Sequence, residues 1–195
     1  MVHLAMREIA LFVIYCHGAE LGATVRKLMS ADYRLAVTTP SDARAVTSLL
    51  KASYGSLMPA SYDAAVLDLA LPLMTEASAT LLASGTYYVA LDKGLAIGSG
   101  GWTKERPGTE DVQPELAHIR HFATHPEWLG MGVGRSIYAE CEKAAGAAGI
   151  KRFECYSSLN AERFYAALGF RAIRHMDVNM GPGISFPTIL MEASL

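Results

Sequence analysis

The stretch with the most chemical content is Gly130-Met131-Gly132-Val133-Gly134, which follows Thr124-His125-Pro126-Glu127-Trp128-Leu129 and precedes Arg135. Glycine has no Cβ, so it can turn the chain through positive φ and let a ligand approach the backbone closely. A strand-like segment stands before this turn and an amphipathic helical segment after it. The N–H groups of such a turn point outward at a helix N-terminus, where the dipole favours negative charge. The expected ligand chemistry is a phosphate or pyrophosphate.

Two well-known phosphate sites fit poorly. A P-loop needs GxxxxGK followed by Ser or Thr, and no such pair follows these glycines. A dinucleotide fingerprint needs GxGxxG; Gly130 and Gly132 match, but the third position is Arg135. Glu154, 20 residues after Gly134, imitates the ribose-binding acid of that fingerprint. In that motif, however, the glycines follow the strand at once, and here His125 to Gly130, with Pro126 inside, intervenes. A metal site is also disfavoured. His118 and His121 point to opposite faces of a regular strand, and Pro126 spoils a helical pairing of His121 with His125.

The elements that must hold this turn are legible around it. Tyr33 to Thr38 alternates as a strand, Pro40-Ser41-Asp42 offers a helix start with Ser41 or Asp42 as its cap, and Ala45, Val46, Leu49 and Leu50 recur at helical spacing. A second helical stretch covers Tyr62 to Ser84, with a break expected at Pro72. Thr86 to Leu91 and Leu95 to Trp102 read as a hairpin around Asp92-Lys93-Gly94. Residues 103–113 read as a loop and Glu115 to Thr124 as a long strand. On that strand His118, Arg120, Phe122 and Thr124 share one face, and Ala117, Ile119, His121 and Ala123 the other. Arg135 to Ala148 is a helix closed by Gly149, Arg152 to Ser157 a strand, and Asn160 to Leu168 a short helix that Asn160 can cap. Phe170 to Met180 and Pro187 to Glu192 are the last two strands. Mixed strands and helices with a hairpin imply an α/β or α+β domain with a partly antiparallel sheet.

Length and composition set bounds. The 195 residues suit one domain plus a short extension, and 51% apolar with 18% charged residues excludes a disordered chain. A net charge of −2 gives no basic footprint for nucleic acid. The cysteines are Cys16, Cys141 and Cys155; an odd count without a CxxC pair fits a reducing, cytoplasmic setting. The apolar run Ile9 to Cys16 is far shorter than the roughly 20 residues that span a bilayer, so no membrane association is expected. Residues 1–32 read as an N-terminal extension, either an added element or a start upstream of the natural initiator, and residues 33–195 as the main domain.

The turn and the block downstream of it resemble the GNAT superfamily of acyl-CoA-dependent N-acetyltransferases. That family's strand, V-x-P loop, [QR]xxGxG[GA] turn and helix are matched by Phe122 to Arg135. Its following strand and N-x-x-x-F-Y-x-x-x-G-F block are matched by Arg152 to Ser157 and by Asn160 to Phe170. The Gly98-Ser99-Gly100-Gly101-Trp102 hairpin strand is similar to the family's central strands. One position departs: the first of the turn motif is Leu129, where the family has Gln or Arg. The resemblance implies a three-layer GNAT-like fold, with a mixed, mostly antiparallel sheet, splayed middle strands and flanking helices. It implies that acetyl-CoA is the acyl donor, with no metal. The pyrophosphate would rest on the amides of Leu129, Gly130, Met131, Gly132, Val133, Gly134 and Arg135. The pantetheine arm would run beside Phe122, Ala123 and Thr124, with Asn160 and Tyr165 near the thiol end.

The implied reaction is transfer of an acetyl group to a primary amine of a small molecule or peptide, by direct attack in a ternary complex. The alternative is an acyl-CoA-binding module without turnover. Acetyl transfer needs a neutral amine, a donor for the tetrahedral oxyanion and a proton for the departing thiolate. Tyr165 suits the last role because a phenol keeps its proton at neutral pH. His118 occupies the place where some relatives carry a catalytic Glu, with His121 and Glu115 behind it. Residues 53–74 and 103–113 are expected to build the acceptor pocket, and a homodimer is expected only by analogy with the fold.

Overall fold

The computed structural model describes residues 33–109 and 111–195. The expected extension over residues 1–32, Cys16 included, lies outside the described residues. β1 (Arg34–Val37) leads to Thr39, which begins a one-turn 3-10 helix over Pro40–Asp42. Thr39 caps this turn, its N–H donating to the Asp42 carboxylate at 2.8 Å, and Asp42, one of the two expected residues, holds the N-cap position of the α-helix that follows, without a side-chain cap bond of its own. In α1 (Ala43–Leu57), Val46, Leu49, Leu50, Ser53 and Tyr54 are buried, one apolar stripe at the i, i+3, i+4, i+7, i+8 spacing. Pro72 does not break α2 (Ala64–Met74). It falls in the last turn, where its missing N–H removes a single bond before the chain leaves the helix. The exit itself is marked by Thr75, whose hydroxyl donates to the Leu71 carbonyl at 2.7 Å. α3 (Ala79–Leu82) follows, with Ser78 as its cap.

Seven strands among the described residues form one sheet in the order β1-β2-β3-β4-β5-β7-β6. β2 (Tyr87–Asp92) and β3 (Leu95–Thr103) are the expected hairpin, and β4 (Leu116–Thr124) pairs antiparallel with β3. α4 (Val133–Ala147) then crosses over to β5 (Arg152–Ser158), the partner that runs parallel to β4. α5 (Glu162–Ala166) precedes β6 (Arg171–Gly181) and β7 (Ile184–Ser194), which turn at Gly181-Pro182-Gly183. β7 begins three residues earlier than the expected Pro187, because this short Gly-Pro-Gly turn lets both strands of the hairpin run on.

Alternation along β2 sorts the core into two layers. Tyr88 and Ala90 pack with Ile137, Cys141 and Ala145 of α4. Tyr87 and Val89 pack with Leu49, Leu50 and Tyr54 of α1 and Leu67 and Ala70 of α2. The result is the expected three-layer arrangement, helices on both faces of a mixed and mostly antiparallel sheet. β4 and β5 pair only over Leu116 to His118 against Arg152 to Glu154. Beyond those residues the two strands separate, and the site is built in the opening.

Candidate functional site

β4 ends at Thr124, and the His125 N–H donates to the Ile97 carbonyl at 2.9 Å, which ties the exit to β3. A 3-10 turn over Pro126–Trp128 then brings the chain to the glycines. Gly130 has φ +73° and Gly132, the cap of α4, has φ +82°; a Cβ built on either meets nothing within 4 Å. These two glycines answer a backbone requirement and leave the turn uncovered. Gly134 is different, since its Cβ would come within 2.9 Å of the Phe164 ring, so it seats α4 against α5. The Leu129 and Met131 N–H groups are engaged at 3.4 Å by the Pro126 and Trp128 carbonyls. The N–H groups of Val133, Gly134 and Arg135 occupy the first turn of α4, where no intrahelical acceptor exists. Arg135 itself donates to the Ala167 carbonyl at 3.0 Å. A cavity of about 260 Å³ lies over this turn, between Thr124, Trp128, Leu129, Phe164 and Leu168.

The regular alternation expected for β4 fails at one point. Two residues, His121 and Phe122, oppose the single residue Gly100 of β3, and His121 takes φ +45°. This is a β-bulge, and it reverses the facing of everything after it. Ala117 and Ile119 therefore pack in the α4 layer, whereas Ala123 packs in the α1 layer. The carbonyls that the bulge turns out of the ladder are both captured. The Tyr87 hydroxyl donates to the His121 carbonyl at 2.9 Å, and the Tyr54 hydroxyl to the Phe122 carbonyl at 3.2 Å. Gly100 is needed because a Cβ there would lie 2.5 Å from the Phe122 ring.

Two further cavities line the opening between β4 and β5. One, of about 180 Å³, is walled by Phe122, Ala123, Thr124, Leu129, Asn160 and Phe164 together with Ser53 and Leu57 of α1. It shares Thr124, Leu129 and Phe164 with the cavity over the glycine turn. The other, of about 240 Å³, is walled by Arg120, His121, Pro107, Leu73, Met74, Val178, Met180 and Phe186, among others. Tyr54, Met58, Phe122, Ser158, Ala161 and Tyr165 belong to both. Three cavities in series thus run from the α4 N-terminus to the far side of the sheet.

The expected residues fall along this path unevenly. Tyr165 stands at the junction of the second and third cavities, with ring centroids 5.1 Å from Phe164 and 5.4 Å from Phe170. Burial holds its phenol well above the usual value of 10, so the group keeps its proton. Asn160 walls the second cavity but is not a helix cap: it lies inside the 3-10 turn Leu159–Ala161, with Ser158 and Ala161 at the cap positions. His118 is buried and is not among the residues walling the cavities; its Nδ1 lies 3.6 Å from a Glu154 carboxylate oxygen. Burial, then the Arg106 and Arg120 charges, pull its pKa from 6.5 to about 4. His121 does wall the third cavity, and burial followed by Arg120 pulls it to about 4 as well. Glu115 sits at the opposite end of β4, its carbonyl accepting from Lys151 at 2.7 Å and Arg152 at 3.1 Å.

Both segments expected to shape an acceptor pocket contribute walls, through Tyr54, Met58, Leu73 and Met74 and through Pro107. The β6–β7 residues were not among those expected, and Tyr54 was expected only as part of the 53–74 segment. Tyr54 obeys the helical period of a core residue, and Val178, Met180 and Phe186 reach the site only through sheet order. Among the described residues no three His, Cys, Asp or Glu side chains converge to hold a metal ion. No described helix is long and apolar enough to cross a membrane.

Residues 83–172 match the acetyltransferase (GNAT) domain family. No curated protein matches the chain in sequence. The fold is similar to that of a GCN5-related N-acetyltransferase from Rhodopseudomonas palustris, with a TM-score of 0.64 at 22% identity over 83% of this chain and 95% of that one. It is similar to the PaiA N-acetyltransferase of Thermoplasma acidophilum in complex with coenzyme A, with a TM-score of 0.62 at 14% identity over 84% and 99%. N-acetylglutamate synthase of Neisseria gonorrhoeae, complexed with coenzyme A and N-acetyl-glutamate, gives 0.54 at 14% identity over 85% of this chain and 35% of that one. At these identities the likeness to the solved structures concerns the fold.

Proposed function

We propose that this chain, which belongs to the GNAT superfamily, transfers an acetyl group from acetyl-CoA to a primary amine by direct attack within a ternary complex. The observation that carries the reading is the series of three cavities with shared walls. It supplies an anion cradle, a narrow slot and a separate entry for a second substrate, in that order. The coenzyme's pyrophosphate rests on the N–H groups of Gly130 and of Gly132 to Arg135. Leu129 and Met131, whose N–H groups serve the turn, shape the rim. The pantetheine arm lies along Phe122, Ala123 and Thr124 with Asn160 at its side, and brings the thioester to the junction beside Tyr54 and Tyr165.

The amine enters through the third cavity. Its nitrogen forms a bond to the thioester carbon, the tetrahedral oxyanion collapses, the carbon–sulfur bond breaks, and the amine's proton ends on the coenzyme sulfur. An alkylammonium has a pKa near 10, far above that of either histidine, so neither His118 nor His121 can deprotonate it well. A largely apolar cavity disfavours the ammonium form by desolvation, and the amine reaches the thioester neutral. His118, which walls none of the three cavities, is not the base. Tyr165 donates a hydrogen bond to the departing sulfur. A phenol held above 10 is a poorer acid than a thiol near 8.5, so it steadies the thiolate while the proton arrives from nitrogen.

The test is release of coenzyme A thiol, followed with a thiol reagent, when the protein is given acetyl-CoA and a panel of amines. Turnover that depends on the amine is the expected result. Thermal stabilisation by acetyl-CoA with no turnover on any amine would leave an acyl-CoA-binding module and overturn the enzymatic reading.

A further inference from the structure

Arg120 is the one always-charged side chain on the wall of the third cavity, among the described residues. It is half-buried, and its Nη1 donates to the Thr103 hydroxyl at 3.0 Å. Among the described residues no carboxylate oxygen lies within 4.0 Å of its guanidinium. Glu105 acts on it from beyond that distance, and the cavity wall itself contains no carboxylate. A neutral hydroxyl is weak compensation for a guanidinium withdrawn from water, and the fork of donors is left with capacity for an anion. The rest of the wall is largely apolar: Met58, Leu73, Met74, Val178, Met180 and Phe186.

Position adds a distance constraint. Arg120 lies two residues before Phe122, which stands at the junction where the amine must meet the thioester. At about 3.3 Å per strand residue, shortened by the bulge, a carboxylate held by Arg120 belongs to the same small molecule as the amine. A volume of about 240 Å³ is below the roughly 300–1,000 Å³ of clefts for drug-sized ligands, which also favours a small acceptor. The carboxylate further answers a problem of charge, since it neutralises Arg120 in a cavity that would otherwise repel any residual ammonium.

We infer that the third cavity takes a free amino acid with an apolar side chain, its carboxylate paired with the Arg120 guanidinium and its amine turned to the thioester; this rests on the acetyltransferase reading above. The experiment compares leucine, methionine and phenylalanine with their amides, by calorimetric binding in the presence of coenzyme A and by thiol release with acetyl-CoA. The acids should bind and react about 10- to 100-fold better than their amides, the loss expected for charge-assisted hydrogen bonds. Arg120→Gln should collapse that ratio towards one, and Arg120→Lys should restore part of it. Unchanged stabilisation of both variants by acetyl-CoA shows that they are folded. Equal binding of acid and amide by the wild-type protein, no binding of any of the three acids, or a ratio unmoved in Arg120→Gln overturns the inference. Acetylation of amines without preference for the carboxylate removes this inference alone. Acids bound through Arg120 without acetyl transfer remove the transferase reading alone.

Discussion

The two ends of the cavity series are made of different material. The cradle at α4 is backbone: two glycines at positive φ and the unpaired N–H groups of a helix's first turn. The third cavity is side chain, assembled from α1, α2, the 103–113 loop, β4, β5, β6 and β7. A backbone cradle depends on a few contiguous residues and tolerates change nearby, so Leu129 can stand at the position where the resemblance implies Gln or Arg. A side-chain cavity depends on many distant residues, and each one alters what it accepts. On the proposed reading, the α4 end takes the donor and is the generic end of this molecule, and the third cavity takes the acceptor and is the specific one.

The sharpest way to break this contrast is Gly132→Trp. It fills the uncovered cradle and forces a bulky residue to φ +82°, and should lower acetyl-CoA affinity by at least about 100-fold in calorimetry, while Gly132→Ala costs only about 1–2 kcal/mol of fold stability. A loss of acceptor binding equal to the loss of acetyl-CoA binding would show that the two ends are not separable.

Acidification probes β4 beside the acceptor end. His118 and His121 have folded-state pKa values near 4 against 6.5 unfolded, so their burial stabilises the fold fully above pH 6.5 and is lost as pH falls through 4. The cost should approach about 3 kcal/mol per histidine at low pH, and His118→Gln should flatten the urea-midpoint profile between pH 6.5 and 4. A profile identical to wild type would mean that His118 is solvated.

Tyr165→Phe tests the junction. Acetyl-CoA affinity should hold within about twofold and kcat should fall about 10- to 100-fold, as for one lost hydrogen bond to a developing charge. Equal losses in binding and turnover would make Tyr165 a packing residue of the slot.

The smallest effect lies outside both ends. The Lys51–Glu76 pair, at 2.8 Å with side chains 57% and 65% exposed, should change stability by less than about 1 kcal/mol in Glu76→Gln and leave activity untouched. A larger effect would show that the outer face of α1 is coupled to its cavity-lining face.

Much of the donor end was legible beforehand, because its determinants are local. The 130–134 glycine spacing, the strand before it, the helix after it and the block from Asn160 to Phe170 are contiguous patterns, and each formed close to where it was read. The errors were also local. Pro72 falls in a last turn rather than a helix middle, and Asn160 lies within a 3-10 turn rather than ahead of a helix. The facing of β4 failed for another reason. A one-residue bulge has no compositional mark here, since it is stabilised by Gly100 on β3 and by hydroxyls from Tyr54 and Tyr87, residues 34 to 68 positions away.

The sequence by itself determined the glycine turn at the head of α4, the order of strands and helices, and the residue types available for chemistry, since turn geometry and periodicity act over a few neighbouring residues. Only the tertiary structure decided which of those residues face one another. The separation of β4 from β5 after His118, the inversion at His121, and the delivery of Arg120 rather than His118 to the cavity wall all follow from contacts between distant segments. Local preference carries no information about such contacts until the sheet has formed.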